Sequence, residues 1–274
     1  MSERVAVRKT YKLYIGGKFP RSESGRSYIV QDANVALSSR KDARDAVVAA
    51  RAAVKGWAGA TAYNRGQVLY RVAEMLEGRR EQFVALGVPG EEVDAAIDRW
   101  VWYAGWSDKL AQVYGGANPV AGPYFNISAP EPTGVVAMVA PERPALLGLV
   151  SVIAPAIVSG NTVVVTASPA EPLAAITLAE VLATSDLPGG VVNLLTGKIS
   201  ETVPTLAAHM DVNAIDLTGV ADAELAAELE IKAAENLKRV LRPAPADHDW
   251  FADPGVTRMT TLLETKTVWH PKGV

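Results

Sequence analysis

Cysteine is absent from all 274 residues. That excludes disulfides, thiolate metal sites and any cysteine nucleophile in this chain. Histidine is scarce: His209, His248 and His270 stand far apart without metal-ligand spacing, so each reads as an ordinary polar residue and no metal is expected. Neither sign of charge dominates. The 27 Lys and Arg against 30 Asp and Glu leave a formal net charge of -3, which points to neither nucleic acid nor an anionic membrane. Long apolar runs are missing as well, because Pro, Gly, Ser and Thr interrupt each one, and no membrane span is expected. The stretch from Met1 to Lys12 is polar and mixed in charge, so it reads as no secretory signal, and the cytoplasm is the expected location. What remains is ordinary for a globular protein with a core: 49% hydrophobic and 21% charged residues. The length suits one large α/β unit or two intimate domains.

The apolar pattern changes along the chain. Residues 11–19 alternate and carry Gly16-Gly17, the mark of a short hairpin. Ser39 and Asp42 make a capping pair ahead of Ala43, Val47, Ala50, Val54 and Trp57, which share one helical face. A second helix starts at Thr61 and buries Leu69, Val72 and Leu76. Pro89-Gly90 breaks the chain, and a third helix is expected over residues 91–113. Its Trp100, Tyr103 and Trp106 read as the buried seam against the next layer rather than as a binding platform. Residues 124–132 form an irregular or extended arm. From Thr133 the rhythm is that of short apolar strands alternating with helices: strands at 135–139, 162–166, 191–195 and 213–217, helices at 145–158, 172–183, around 204–208 and at 221–236, and a last apolar step near Val240. That alternation implies a doubly wound parallel sheet covered on both faces. Residues 242–247 read as a linker and 260–269 as one long strand.

The order of these pieces resembles the aldehyde dehydrogenase family. Residues 13–19, Leu-Tyr-Ile-Gly-Gly-Lys-Phe, look like its opening hairpin. Trp57, Arg65, Leu69, Ala73 and Leu76 resemble its second-helix signature. Glu131-Pro132-Thr133-Gly134-Val135-Val136 is similar to the entry into its cofactor domain. Residues 160–165 and 187–193 are close to further family motifs, and residues 264–271 resemble its C-terminal oligomerisation strand. The resemblance implies a helical N-terminal region with an arm over residues 1–132, a Rossmann-like doubly wound sheet over 133–241, and a linker with the oligomerisation strand over 242–274.

The departures bear on function. The family's general base lies in a Glu-Leu-Gly-Gly segment, where this chain has Leu237-Lys238-Arg239-Val240 and then Leu241-Arg242-Pro243. The family's catalytic domain, with its nucleophilic cysteine, has no counterpart, and the chain passes almost directly to the closing strand. No catalytic residue is expected, since the family's chemistry needs that thiolate. Its Pro-Trp-Asn-Phe-Pro matches Pro141-Glu142-Arg143-Pro144-Ala145, with Arg143 at the oxyanion Asn position. Its Lys-Pro-Ser-Glu matches Thr166-Ala167-Ser168-Pro169, without the Lys and Glu that handle the ribose. Its Thr-Gly-Ser phosphate turn matches Thr218-Gly219-Val220, with Ser lost. Asp222 and Glu224 suit the start of a helix but would repel a pyrophosphate there. Pro141, Glu142, Thr166, Ser168, Thr218 and Gly219 are therefore vestiges of a cofactor site, and no cofactor is expected.

Three functional readings follow. The first is a non-catalytic subunit that pairs with itself, as a homodimer or higher oligomer, or with an intact aldehyde dehydrogenase. The second is a nucleotide-binding module for NAD or NADP, without catalysis. The third is an unrelated enzyme using Asp247 and Asp249, which sit in a Pro/Ala-rich linker and read as solvated.

Overall fold

The computed structural model describes Val5 and residues 8–273; part of the polar Met1–Lys12 stretch lies outside the described residues. Three short strands, β1 (Thr10–Tyr11), β2 (Ser27–Val30) and β3 (Ala33–Ala36), make a small sheet in the order β1-β3-β2. Helices α1 (Arg40–Gly59), α2 (Ala62–Glu77), α3 (Arg80–Ala85), α4 (Gly90–Ala104) and α5 (Leu110–Tyr114) follow. The arm begins with β4 (Gly116–Asn118) and β5 (Tyr124–Pro132). Then come β6 (Val135–Val139), α6 (Ala145–Val158), β7 (Thr162–Thr166), α7 (Pro172–Ala183), β8 (Val192–Leu195), α8 (Ile199–Ala208), β9 (Ala214–Asp216), α9 (Ala223–Ala234) and β10 (Arg239–Leu241). A short α10 (Thr257–Thr261) and the long β11 (Leu263–Pro271) close the chain.

The expected parallel sheet is present. Its order is β10-β9-β6-β7-β8, with every pairing parallel. Strands β6 to β9 are buried along their length because helices cover both faces, and the edge strand β10 is half-buried. The pleat divides each strand between two cores. Val136 and Met138 pack with α2, α4, α6 and α7, whereas Val135, Ala137 and Val139 pack with α1, α8 and α9. The mixed α/β architecture is thus the one expected, with a Rossmann-like sheet at its centre.

Local chemistry explains the starts and turns. Ser39 and Asp42 form a reciprocal capping box at α1. Asp42 also receives Ser22 Oγ at 2.7 Å and Glu23 N at 3.0 Å, which pins the entering loop. Thr61 caps α2 by accepting from Asn64 N. Gly16 and Gly17 both have positive φ and close a tight turn between Ile15 and Lys18. Beyond that turn, residues 11–19 are less of a hairpin than expected: Tyr11 pairs in parallel with Val35, and Tyr14 bridges Leu194.

Three other elements differ from expectation. The helix expected over 91–113 breaks after Ala104 at Gly105, and resumes as α5. The strand expected from Thr260 begins at Leu263, because residues 257–261 coil into α10, where Thr260 and Thr261 hydroxyls bond back to carbonyls one turn earlier. The arm at 124–132 is a regular strand, paired along its whole length with β11 from Leu263↔Pro132 to Pro271↔Tyr124. The arm sheet runs β11-β5-β4, so β11 offers an open edge among the described residues. Phe125, Ile127 and Trp269 are exposed on it.

Asn161 fastens the arm to the sheet. Its Oδ1 accepts Gly134 N at 2.7 Å, while its Nδ2 donates to Ser159 Oγ and, at 2.9 Å, to Leu262 O. The side chain is fully buried. Replacing it strands Gly134 N and Leu262 O away from water. Asn161→Ala is expected to lower stability by about 2–4 kcal/mol, read from urea unfolding, whereas Ser39→Ala at the capping box should lose only about 1 kcal/mol. Equal losses would show that Asn161 is not a tie between arm and sheet.

Candidate functional site

In the strand order β8-β7-β6-β9-β10, successive strands are added first on one side of β6 and then on the other, so the topology reverses between β6 and β9. Ligands of open α/β sheets bind in the crevice outside the carboxyl ends of the strands at such a switch point. The residues singled out from the sequence gather along that edge. Pro141 and Glu142 follow β6, Thr166 ends β7 with Ser168 just beyond it, and Thr218 and Gly219 follow β9. Pro141, Thr166, Ser168 and Thr218 are buried, and Glu142 is exposed. Arg143 also stands here, mostly in solvent, and pairs with Glu171 at 2.8 Å, which ties the loop after β6 to the loop after β7.

The loops at the switch point touch through backbone. Gly219 N donates to Val139 O at 3.0 Å. A Cβ at Gly219 would lie 2.0 Å from the Ala140 carbonyl oxygen, so only glycine permits this approach. Thr166 Oγ1 faces Thr202 Oγ1 at 3.3 Å, and Ser168 Oγ accepts Glu171 N at 3.2 Å. At the start of α9, Asp222 accepts Glu224 N and Leu225 N and is exposed. Its charge is therefore spent on its own helix and screened by water, not aimed into the crevice.

Four residues that sequence reading passed over shape this region. Glu92 on α4, buried, accepts Leu146 N at 2.7 Å and Leu147 N at 3.1 Å. It fills the amino end of α6, where the dipole favours an anion. Asp216 at the end of β9, 1% exposed, receives Arg258 from α10 at 2.8 Å. Arg258 also donates to Thr218 Oγ1 at 2.8 Å, and Thr218 Oγ1 donates to Asp216. Arg99 on α4, buried, donates to Ser151 Oγ and to the carbonyls of Trp250 and Ala252. These contacts join residues far apart in sequence, so no spacing announces them.

Residues 242–262 cover the face of α4 and α6. Trp250, Met259 and Leu262 are buried with that core, and His248 stacks edge-on against Trp250 at 4.5 Å. Asp247 and Asp249 are exposed, and Asp249 accepts only Phe251 N in its own turn. Both carboxylates are thus solvated, as the sequence reading expected. No group of histidines and carboxylates among the described residues fits a metal, and no helix among them is long and apolar enough to cross a membrane. A surface depression of about 820 Å³ along α2 and α4 is lined by none of the residues of the carboxyl edge named above.

The sequence profile of the aldehyde dehydrogenase family matches residues 30–243. The chain belongs to the aldehyde dehydrogenase family. Among curated members, a mitochondrial benzaldehyde dehydrogenase of Antirrhinum majus is 31% identical over 248 residues, 84% of this chain and 46% of that one. Retinal dehydrogenase 2 of Homo sapiens is 31% identical over 252 residues, 85% of this chain and 48% of that one. Among solved structures, the NAD+ complex of an aldehyde dehydrogenase from Bacillus cereus superposes with a TM-score of 0.79 at 25% identity, covering 85% of this chain and 50% of that one. This aldehyde dehydrogenase family chain thus spans about half the length of the curated relatives it matches.

These matches correct the expectation that no cofactor is bound. The family fold that superposes on this sheet is one solved with NAD+ in place. The expectation rested on lost side chains and on repulsion by Asp222 and Glu224. It left out the sheet edge at the switch point, where the motif residues gather, and Asp222 caps its own helix through Glu224 N and Leu225 N.

The Asp216–Arg258 pair is the strongest electrostatic tie between sheet and linker. Arg258→Met removes the cation and leaves a buried carboxylate, with an expected loss of about 2–4 kcal/mol. Arg258→Met with Asp216→Asn should lose less than the sum of the two single changes, by more than about 1 kcal/mol. Additive losses in chemical denaturation would show that the pair is not coupled.

Proposed function

We propose that this chain is a non-catalytic assembly subunit of the aldehyde dehydrogenase family that carries NAD or NADP without oxidising aldehydes. The observation that carries the reading is the path from β10 to β11. Residues 242–262 alone make that crossing, and they lie folded on α4 and α6. No further domain stands between the two strands, and the chain contains no thiol to attack an aldehyde. We assign residues 1–132 to the helical region and arm, 133–241 to the cofactor-type domain, and 242–274 to the linker and oligomerisation strand.

The dinucleotide part of the proposal is supported by the switch point between β6 and β9 and by the NAD+ complex of the Bacillus cereus relative. The backbone at Ala140–Pro141 and Thr218–Gly219 would hold the cofactor, with Thr166 and Ser168 beside it. Glu92 fills the start of α6 and Asp222 caps the start of α9, so the dinucleotide reading rests on the sheet edge rather than on a helix start. Bound NAD is a hydride acceptor, but here the residues around it bind and orient without a nucleophile to form the donor. Purified protein titrated with NAD in a calorimeter is expected to show saturable binding. Aldehydes plus NAD or NADP should then give no cofactor reduction above a protein-free blank. Reduction that survives repurification would sink the non-catalytic reading, and the absence of any NAD binding at millimolar concentration would sink the dinucleotide reading.

Assembly through the arm is supported by the open β11 edge. The outer edge of β11, beside the exposed Trp269, is a pairing surface. Two chains can meet edge to edge about a twofold axis, or β11 can add to a sheet of an intact family member. Removal of residues 263–274 is expected to leave a monomer by light scattering and to abolish co-purification with an intact aldehyde dehydrogenase. An unchanged oligomeric state after the deletion would refute the arm as the assembly device. The alternative, a stand-alone nucleotide-binding module, differs in requiring NAD binding by a monomeric full chain.

A further inference from the structure

The linker does more than cover α4 and α6: it roofs a small polar cavity. The cavity measures about 90 Å³ and is floored by Arg99, Tyr103 and Ser151, with Trp250 and Arg258 at its side and His248, Asp249 and Asp253 at its rim. At roughly 30 Å³ per water in the liquid, it holds about three waters' worth of volume.

Two features of its floor are unusual. Arg99 is 7% exposed, yet it has no carboxylate partner among the described residues; its bonds go to Ser151 Oγ at 2.8 Å and to the Trp250 and Ala252 carbonyls at 2.8 and 3.1 Å. Buried charges are ordinarily paired, because leaving water is costly without a counter-charge. Burial outweighs every neighbouring group here and pushes the guanidinium pKa down. Tyr103 is fully buried, and its hydroxyl has no protein partner. Burial raises its pKa to about 12, so at neutral pH it keeps its proton and is a donor. The two rim carboxylates are exposed and already accept backbone amides in their own turns, Asp249 from Phe251 N and Asp253 from Gly255 N. Arg258 is committed to Asp216.

A buried guanidinium with no carboxylate in contact, Asp249 and Asp253 standing off at the rim, beside a buried phenol lacking an acceptor defines a complementary ligand. We propose that this cavity binds a small monocarboxylate, of the size of formate or acetate, between Arg99 and the Tyr103 hydroxyl. One carboxylate supplies both the counter-charge and the acceptor, and the cavity volume excludes an aromatic acid. The occupant touches the linker on one side and α4 and α6 on the other. Binding therefore fixes the roof, and through α10 it bears on the segment that leads into β11. A carboxylate is also what oxidation of an aldehyde yields, so the site would report the product class of the family's chemistry. It does not require NAD binding, and it stands or falls separately from the reading above.

The test uses the full chain titrated with sodium formate and sodium acetate, with sodium chloride and sodium benzoate at matched ionic strength, followed by calorimetry and thermal unfolding. Formate or acetate is expected to bind saturably with a dissociation constant of about 1 mM or tighter and to raise Tm, whereas chloride and benzoate do neither. Tyr103→Phe removes only the hydroxyl. It should leave Tm without ligand unchanged or higher, since an unpartnered buried group is lost, and weaken acetate binding by about tenfold or more. Arg99→Lys keeps a cation but not the fork, and should weaken binding as well. A response to acetate no different from that to chloride, or acetate binding by Tyr103→Phe equal to that of the parent, would overturn the assignment and leave the cavity to water.

Discussion

Helix α6 sets the terms for the rest of the structure. All fourteen of its residues are buried. A helix that is apolar on every side must be covered on every side. The parallel sheet and α7 cover part of it, and α4 lies across another part, which is why Trp100 and Tyr103 are packed there with no exposure. The remaining flank is closed by the linker through Trp250 and Met259. At ~25 cal/mol per Å² of apolar surface, exposing that flank would cost several kcal/mol, a large share of a typical domain's net stability. The linker is therefore part of the core, and Arg99 is the polar stitch that holds it by two carbonyls.

Much of the fold was legible because it rests on short-range pattern. The runs at 135–139 and 162–166 are too short and too β-branched for helices, and their flanks carry the turns that a βαβ rhythm needs. The cap at Ser39 and Asp42 was readable because both partners lie within one turn. Where the reading failed, a tertiary or local competitor decided. Gly105 ends α4 although the apolar spacing runs on to Val113. Thr260 and Thr261 look like strand formers, but their hydroxyls find helical carbonyls and the chain coils before β11. The small strands β2 and β3 were not foreseen, since neither carries a distinct alternation and each depends on its partner for definition.

The motif positions could be read from the sequence, whereas the contacts around them could not. Motif correspondence put Pro141, Thr166, Ser168, Thr218 and Gly219 on one edge, and the sheet order brings them there. The same reading weighed each lost side chain as lost affinity and arrived at no cofactor, which the NAD+ complex of the superposed relative corrects. Backbone geometry does not appear as a residue type, so a substitution count underestimates what a Rossmann frame retains. Arg99, Arg258 and Glu92 were invisible for another reason. Their partners lie 40 to 153 residues away, and only the packed structure shows which buried charge meets which acceptor.

The ends of the linker carry the last step of the argument. Arg239 on β10 grips Glu264 on β11 with two nitrogens at 2.8 and 2.7 Å, and it also reaches Thr261 O at 3.4 Å. The pair is half exposed and modest in energy, but its geometry is informative. It means that the chain leaves the parallel sheet and enters the arm sheet at one place. Closing such a loop costs little more for a long segment than for a short one, since the entropy grows only with the logarithm of length. A point of exit and re-entry that close together is the kind of place where a whole domain is accommodated or removed without disturbing what lies on either side. The half-length coverage of the family's members is in keeping with that. What replaces a domain at such a point must still cover α6, and residues 242–262 carry the apolar side chains and the Arg258 anchor to do so. Arg99 and Tyr103 face that roof: Arg99 bonds to two of its carbonyls, while the Tyr103 hydroxyl has no protein partner.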